Sequence, residues 1–152
     1  MLTNKGKYGL KALIYLAGIG PGQTAFSAEI AQKNNISKKF LDTILLEFRN
    51  AGIVRSKKGP GGGYSLSKTA DEIMIGHAIR VLDGPLAPIR CASRNFFEPC
   101  DDCGDPQTCL VRHAMTEVRD AIADVLDNMT LAKLVQQGLD GSLAIEPGQS
   151  GS

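Results

Sequence analysis

Histidine is scarce in this chain of 152 residues: only His77 and His113 are present. No Ser/His/Asp arrangement and no hydrolytic pair of carboxylates stands out, so enzymatic proton or acyl transfer finds few candidates. No apolar run reaches the roughly 18 residues of a membrane helix, and no membrane partner is expected. The N-terminus lacks the basic-then-apolar pattern of a secretion signal. The expected location is therefore a reducing cytoplasm, where clustered cysteines serve as ligands or redox sensors more often than as disulfides. Acidic residues are sparse in one half. Residues 1–68 hold Glu29, Asp42 and Glu47 against eleven Lys/Arg, a balance of +8, whereas residues 69–152 carry −7, and the net charge of +1 conceals the division. A basic half suits a polyanion, and an acidic half suits self-association or sensing away from it.

Within the basic half, Leu10, Leu13, Ile14 and Ala17 recur at helical spacing and predict a helix over about 3–18, stopped by Gly20-Pro21-Gly22. Ser27 is expected to cap a short helix to about Lys33, Asn34-Asn35-Ile36 to turn, and Ser37 to cap a further helix ending at Ala51-Gly52. Two short helices joined by a tight turn match the helix-turn-helix pattern. Phe40, Leu41, Ile44, Leu45 and Phe48 share one face of the second and should meet the core. Ser37, Lys38, Lys39, Asp42 and Thr43 are left near its N-terminus, the end that enters a major groove in such proteins. Lysines suit phosphate or guanine, Asp42 a cytosine amino group, and Thr43 a thymine methyl.

Two short strands are expected next, at residues 53–56 and 64–67, around Lys57-Lys58-Gly59-Pro60-Gly61-Gly62-Gly63. A basic, glycine-tipped hairpin after a recognition helix reads as a wing. Arg55, Lys57 and Lys58 would neutralise phosphates, and Gly61, Gly62, Gly63 and Tyr64 would bring backbone close to a groove. A phosphate-cradling nucleotide loop is excluded, because no Gly-Lys-Ser/Thr follows and a strand begins where a helix N-terminus would be required.

The acidic half contains all four cysteines, Cys91, Cys100, Cys103 and Cys109. Thiolates gathered in a short span suit an iron–sulfur centre or zinc, since a short connection keeps loop-closure entropy small. A dithiol enzyme using Cys100 and Cys103 would need a thioredoxin-like βαβ setting, and nothing strand-like flanks them. Thr69 is expected to cap a helix over about 70–82. Asp105-Pro106 is expected to open a long helix with Cys109 on its first turn, where the helix dipole favours a thiolate. Val111, Met115, Val118, Ile122, Val125 and Met129 alternate spacings of four and three, a seam for a partner helix as well as for the chain's own core.

Leu2-Thr3, Lys5-Gly6-Lys7-Tyr8, Lys58-Gly59-Pro60-Gly61-Gly62-Gly63-Tyr64 and the Cys103-x5-Cys109 spacing resemble the bacterial winged-helix regulators of the iron–sulfur cluster (IscR and NsrR) type, over roughly residues 1–137. The resemblance implies a homodimeric transcription factor that reads DNA through helix-turn-helix and wing. In many such proteins a [2Fe–2S] or [4Fe–4S] cluster on three cysteines and one other ligand tunes that reading; others carry none. Where IscR-like chains place a ligating histidine three residues after the last cysteine, this one has Arg112, with His113 a step later. Where NsrR-like chains take a ligand from the partner's first helix, it has Lys7 and Lys11. Against that pattern the fourth ligand is Cys100 or, second, His113, while His77 is structural or exposed.

The expected fold is mainly α with a small β-hairpin wing: a winged helix-turn-helix domain over 1–68, a cysteine-loop sensor and dimerisation helix over 69–137, and a disordered tail over 138–152. The expected function is a homodimeric repressor of palindromic or pseudo-palindromic double-stranded DNA. Its Cys91, Cys100, Cys103 and Cys109 would hold an iron–sulfur cluster sensing iron, redox state or nitric oxide. The alternative is the same regulator without a cluster, using a zinc site, a thiol switch, or a small-molecule or protein effector as in cysteine metabolism.

Overall fold

A threonine starts the structured chain: Thr3 Oγ1 accepts the Gly6 N–H at 3.3 Å and caps helix α1 (Asn4–Gly18). The computed structural model describes residues 2–94, 97–99, 101–102 and 104–139. Helix α2 (Ser27–Asn34) is followed by Asn35 in the left-handed conformation (φ 54°), which turns the chain sharply into α3 (Lys38–Asn50). Ser37 caps α3 as expected, accepting the Phe40 N–H at 3.4 Å. Ser27 does not cap α2: Phe26 stands at that position without a side-chain bond, and the Ser27 hydroxyl bonds Asp42 instead.

The predicted inner face of α3 holds. Leu41, Ile44, Leu45 and Phe48 are fully buried, and half-buried Phe40 meets Tyr8 edge-on, ring centres 5.8 Å apart. Strands β1 (Val54–Lys57) and β2 (Gly63–Leu66) form the antiparallel hairpin, with Val54 opposite Leu66 and Lys57 opposite Gly63. Both strands lie within one residue of their expected positions.

The helix expected over 70–82 is interrupted. Residues 70–72 form a single 3-10 turn, Ile73 and Met74 are extended, and only then does α4 (Ile75–Asp83) begin. Ile73 and Ile75 are buried on either side of exposed Met74, a period of two rather than of a helix. The extended stretch pairs with residues 129–131: Leu131 N–H donates to the Ile73 carbonyl at 2.8 Å and Ile75 N–H to the Met129 carbonyl at 2.9 Å.

Helix α4 seats against α1 where α1 has no side chains. A Cβ on Gly9 would collide with Leu82 Cδ1, and one on Gly6 with the Asp83 carboxylate. Asp83 in turn accepts the Thr3 N–H at 3.0 Å and the Thr3 hydroxyl. One buried core therefore runs from Leu13 and Phe48 to Ala78 and Leu131, across the boundary at 68/69.

Helix α5 (Leu110–Leu126) begins later than expected. Asp105-Pro106 forms only a turn, closed by Gln107 N–H on Asp105 Oδ1 at 3.0 Å and Thr108 N–H on the Asp105 carbonyl at 3.2 Å. Cys109 is thus the residue that caps α5, not a member of its first turn. A last helix, α6 (Leu131–Leu139), was not expected; Thr130 Oγ1 accepts the Lys133 N–H at 3.0 Å at its start, and Leu134 and Val135 pack on the core. The tail expected to be disordered lies, from residue 140, outside the described residues.

Candidate nucleic-acid interface and cysteine segment

The N-terminal end of α3 presents a polar, accessible surface: Ser37, Lys38, Lys39 and Thr43 are exposed. Asp42 is half-buried and occupied. It accepts from Lys38 Nζ at 2.9 Å and from the Ser27 hydroxyl. Burial pushes its carboxyl upward, but the bonds from Ser27 and Lys38 and the Lys38 charge outweigh that and hold it below the usual carboxylate range. The Thr43 hydroxyl donates back to the Lys39 carbonyl at 3.3 Å.

On the wing, Arg55, Lys57, Lys58 and Gly61 are exposed. Gly62, Gly63 and Tyr64, expected to bring backbone close to a groove, are less accessible. Gly62 and Gly63 are buried, and a Cβ on Gly62 would fall on the Lys57 and Gly59 carbonyls. Gly63, at φ 118°, lies directly against the Ala25 carbonyl. Half-buried Tyr64 packs on the core and pairs with Ala25, donating its N–H to the Ala25 carbonyl at 2.7 Å and accepting the Ala25 N–H at 3.0 Å. Gly63 and Tyr64 thereby hold the wing to the segment that leads into α2. Thr24, which the sequence did not single out, donates its hydroxyl to the Gly61 carbonyl at 2.9 Å and fixes the tip. Arg49 ties the end of α3 to β1 through Ser56 Oγ at 3.5 Å.

Of the four cysteines, Cys91 and Cys109 are described; Cys100 and Cys103 lie outside the described residues. Among the described residues no group of three or more His, Cys, Asp or Glu converges on one point. Cys91 is buried in a 3-10 turn (Arg90–Ala92). Cys109 is partly accessible, and its Sγ accepts the Arg112 N–H at 3.4 Å.

Arg112 does more than fill the expected histidine position. Its Nε donates to the Cys91 carbonyl at 2.8 Å and its Nη1 to the Pro106 carbonyl at 3.2 Å, and the guanidinium lies 5.3 Å from the centre of the Phe97 ring. One residue thereby fastens the Cys91 segment to the start of the helix that Cys109 caps. Two turns on, Arg119 donates to the Ala92 carbonyl and to Asp120, which also pairs with Arg94 at 2.9 Å. The seven-residue spacing of Arg112 and Arg119 was visible in the sequence as the only sign of this attachment. His113 is exposed, 3.7 Å from Glu117, and His77 is exposed on α4.

The opposite face of α5 is bare. Leu110, Val111, Val118 and Val125 are 82, 64, 41 and 58% exposed, whereas Ile122 and Met129 from the predicted seam, and Leu126 beside them, pack on the chain's own core. No helix among the described residues is long and apolar enough to cross a membrane.

A helix-turn-helix whose second helix and glycine-tipped wing are both solvent-facing defines a winged-helix DNA-binding transcription regulator. A family model described as Rrf2, iron-dependent transcriptional regulator, matches residues 2–137, and the chain belongs to the Rrf2 family. It is 39% identical over 149 residues to an rrf2-like HTH-type transcriptional regulator of Rhodobacter capsulatus, covering 96% of this chain and 99% of that one. The solved structure of CymR, the global cysteine regulator of B. subtilis, superposes with a TM-score of 0.73 at 36% identity, covering 90% of this chain and 96% of that one. T. potens IscR superposes with a TM-score of 0.74 at 25% identity, covering 96% and 93%.

Proposed function

We propose that two copies of the chain, joined along α5, bind a palindromic or pseudo-palindromic DNA site as a repressor. We further propose that an iron–sulfur cluster on Cys91, Cys100, Cys103 and Cys109 tunes that binding. The observation that carries the reading is the position of Arg112: it links the Cys91 segment to the cap of the helix whose other face is bare. Chemistry at the sulfurs thus acts at the head of the helix that sets the distance between two recognition helices.

The donor set fits such a centre. The chain supplies four soft thiolate donors. Of the two described, Cys109 caps α5 and Cys91 is held close by through its own carbonyl. When bound, the cluster supplies sensitivity to iron, oxidant or nitric oxide. The residues of the chain do the rest. Arg112 and Arg119 anchor the cysteine segment to α5, Lys38, Lys39, Lys57 and Lys58 neutralise phosphates, and Asp42 and Thr43 meet base edges. The resemblance to IscR and the family's iron-dependent description support iron over zinc.

An anaerobic absorption spectrum with iron and zinc analysis, followed by promoter-DNA titration of loaded and stripped protein, tests the reading. The expected sample is brown, contains iron and sulfide, and changes its DNA affinity on stripping. Colourless protein with stoichiometric zinc, or equal DNA affinity in both states, overturns the cluster assignment. Indifference to promoter fragments at low ionic strength in every state overturns DNA binding.

A further inference from the structure

Beside the cysteine segment, and on the face of α5 turned toward its own chain, lies a pocket of about 160 Å³. Its floor is apolar, with Pro85, Leu86 and Ala123, and three arginines from three different segments line it: Arg80 of α4, Arg94 after the Cys91 turn, and Arg119 of α5. Two carboxylates answer them. Asp127 pairs with Arg80 through both oxygens, whereas the single carboxylate of Asp120 is shared by Arg94 at 2.9 Å and Arg119 at 2.6 Å. Among the described residues one positive charge is therefore left over, at the Arg94–Arg119 end. The other end is closed by the residues that follow the C-terminus of α4, where the helix dipole is negative and an anion is unwelcome.

We propose that this pocket binds a small organic monoanion, its carboxylate on Arg94 and Arg119 and its apolar part against Pro85, Leu86 and Ala123. Guanidinium groups are suited to this because they hold a carboxylate with two parallel N–H bonds. The size is right for a compact molecule: a cavity of about 150 Å³ accommodates benzene. The occupant would touch α4, α5 and the segment leading from Cys91 at once, and α4 is tied to α1 through Asp83 and Thr3. Binding there favours one arrangement of those elements, and to that extent it alters DNA affinity; this second part rests on the DNA-binding reading above.

The test uses the full chain and four probes, butyrate and benzoate with their uncharged counterparts butyramide and benzamide. Calorimetry without DNA reads the site alone. Saturable binding of at least one carboxylate is expected, with its amide roughly tenfold weaker or more, and with a similar loss in Arg94→Gln that Arg94→Lys partly restores. Arg94 is suited to substitution because its side chain is 70% exposed. No binding at millimolar carboxylate, equal binding of the amide, or unchanged binding to Arg94→Gln overturns the site. Promoter-DNA titration with and without the bound carboxylate then reads the coupling. A shift of roughly threefold or more in wild type that is absent in Arg94→Gln supports it, and an unchanged affinity overturns it. Failure of DNA binding itself appears already in the titration without carboxylate and is thereby distinguished.

Discussion

Helices α3 and α5 are held to the same protein in opposite ways. Helix α3 has an inner face of four fully buried apolar side chains, and its polar residues face out. Helix α5 is longer and buries none of its residues completely; half-buried Ile122 and Leu126 touch the core, and a set of arginines bonded to backbone carbonyls and carboxylates adds to their hold, while four large apolar side chains stay in solvent. The position of α3 is thus set by the hydrophobic effect, which is non-directional and strong. That of α5 depends on directional bonds and on whatever covers its bare stripe. The first arrangement makes a stiff reading head. The second leaves an element with fewer core contacts to fix its angle.

Phe48 fills the centre of the α3 core. Replacing it with alanine should cost about 3–5 kcal/mol in denaturant unfolding. A loss well under that range would mean the α3 core relaxes around the gap. The Val118→Glu/Val125→Glu double variant should remain helical by circular dichroism yet sediment as a monomer where the parent is a dimer; a persisting dimer would move the interface off α5. Asp42→Ala should change preference at one position of each half-site, worth about 1–3 kcal/mol of discrimination. If affinity instead falls for every sequence alike, Asp42 is a strut for Lys38, its ion-pair partner at 2.9 Å.

Alanine at Lys57 and Lys58 should lower affinity for all DNA and flatten the salt dependence by about one logarithmic unit of slope for each phosphate contact removed. An unaltered slope would take the wing off the DNA. The smallest effect is expected at the Arg80–Asp127 pair. The Arg80 hydrogen bond holds the Asp127 carboxyl below its ordinary range; burial pushes the other way and the Arg80 charge adds to the lowering. A carboxyl lowered in the folded protein contributes stability above its unfolded pKa and loses it as pH falls through the folded value. Asp127→Asn should therefore remove part of the acid sensitivity of folding, by less than about 1 kcal/mol since both side chains are over a third exposed. Parallel pH–stability curves for variant and parent would show that the pair contributes nothing.

What the sequence made legible follows the same division. The sided pattern of α3, the Ser37 cap and the wing hairpin rest on local spacing, and local spacing sufficed. Ile73 and Ile75 misled because two buried residues around one exposed residue fit the edge of a helix pattern as well as an extended strand; pairing with residues 129–131, more than fifty positions away, decided it. Asp105-Pro106 is a sound local helix start, yet the chain makes only a turn there and α5 waits for Cys109. The exposed residues on α3 and the wing could be read as a surface, but the burial of Gly63 against Ala25 could not, because the contact spans nearly forty residues. Arg112 and Arg119 were visible as residues, whereas their carbonyl partners belong to a segment with no periodicity of its own.

The interlock of Gly6 and Gly9 with α4 carries a mechanical consequence. Parts that mesh through bare backbone cannot slide or roll without a collision, so α1 and α4 travel as one solid piece, riveted at its end by Thr3 and Asp83. The Arg80–Asp127 pair joins this piece to the end of α5, and the Lys5–Glu47 pair joins it to α3.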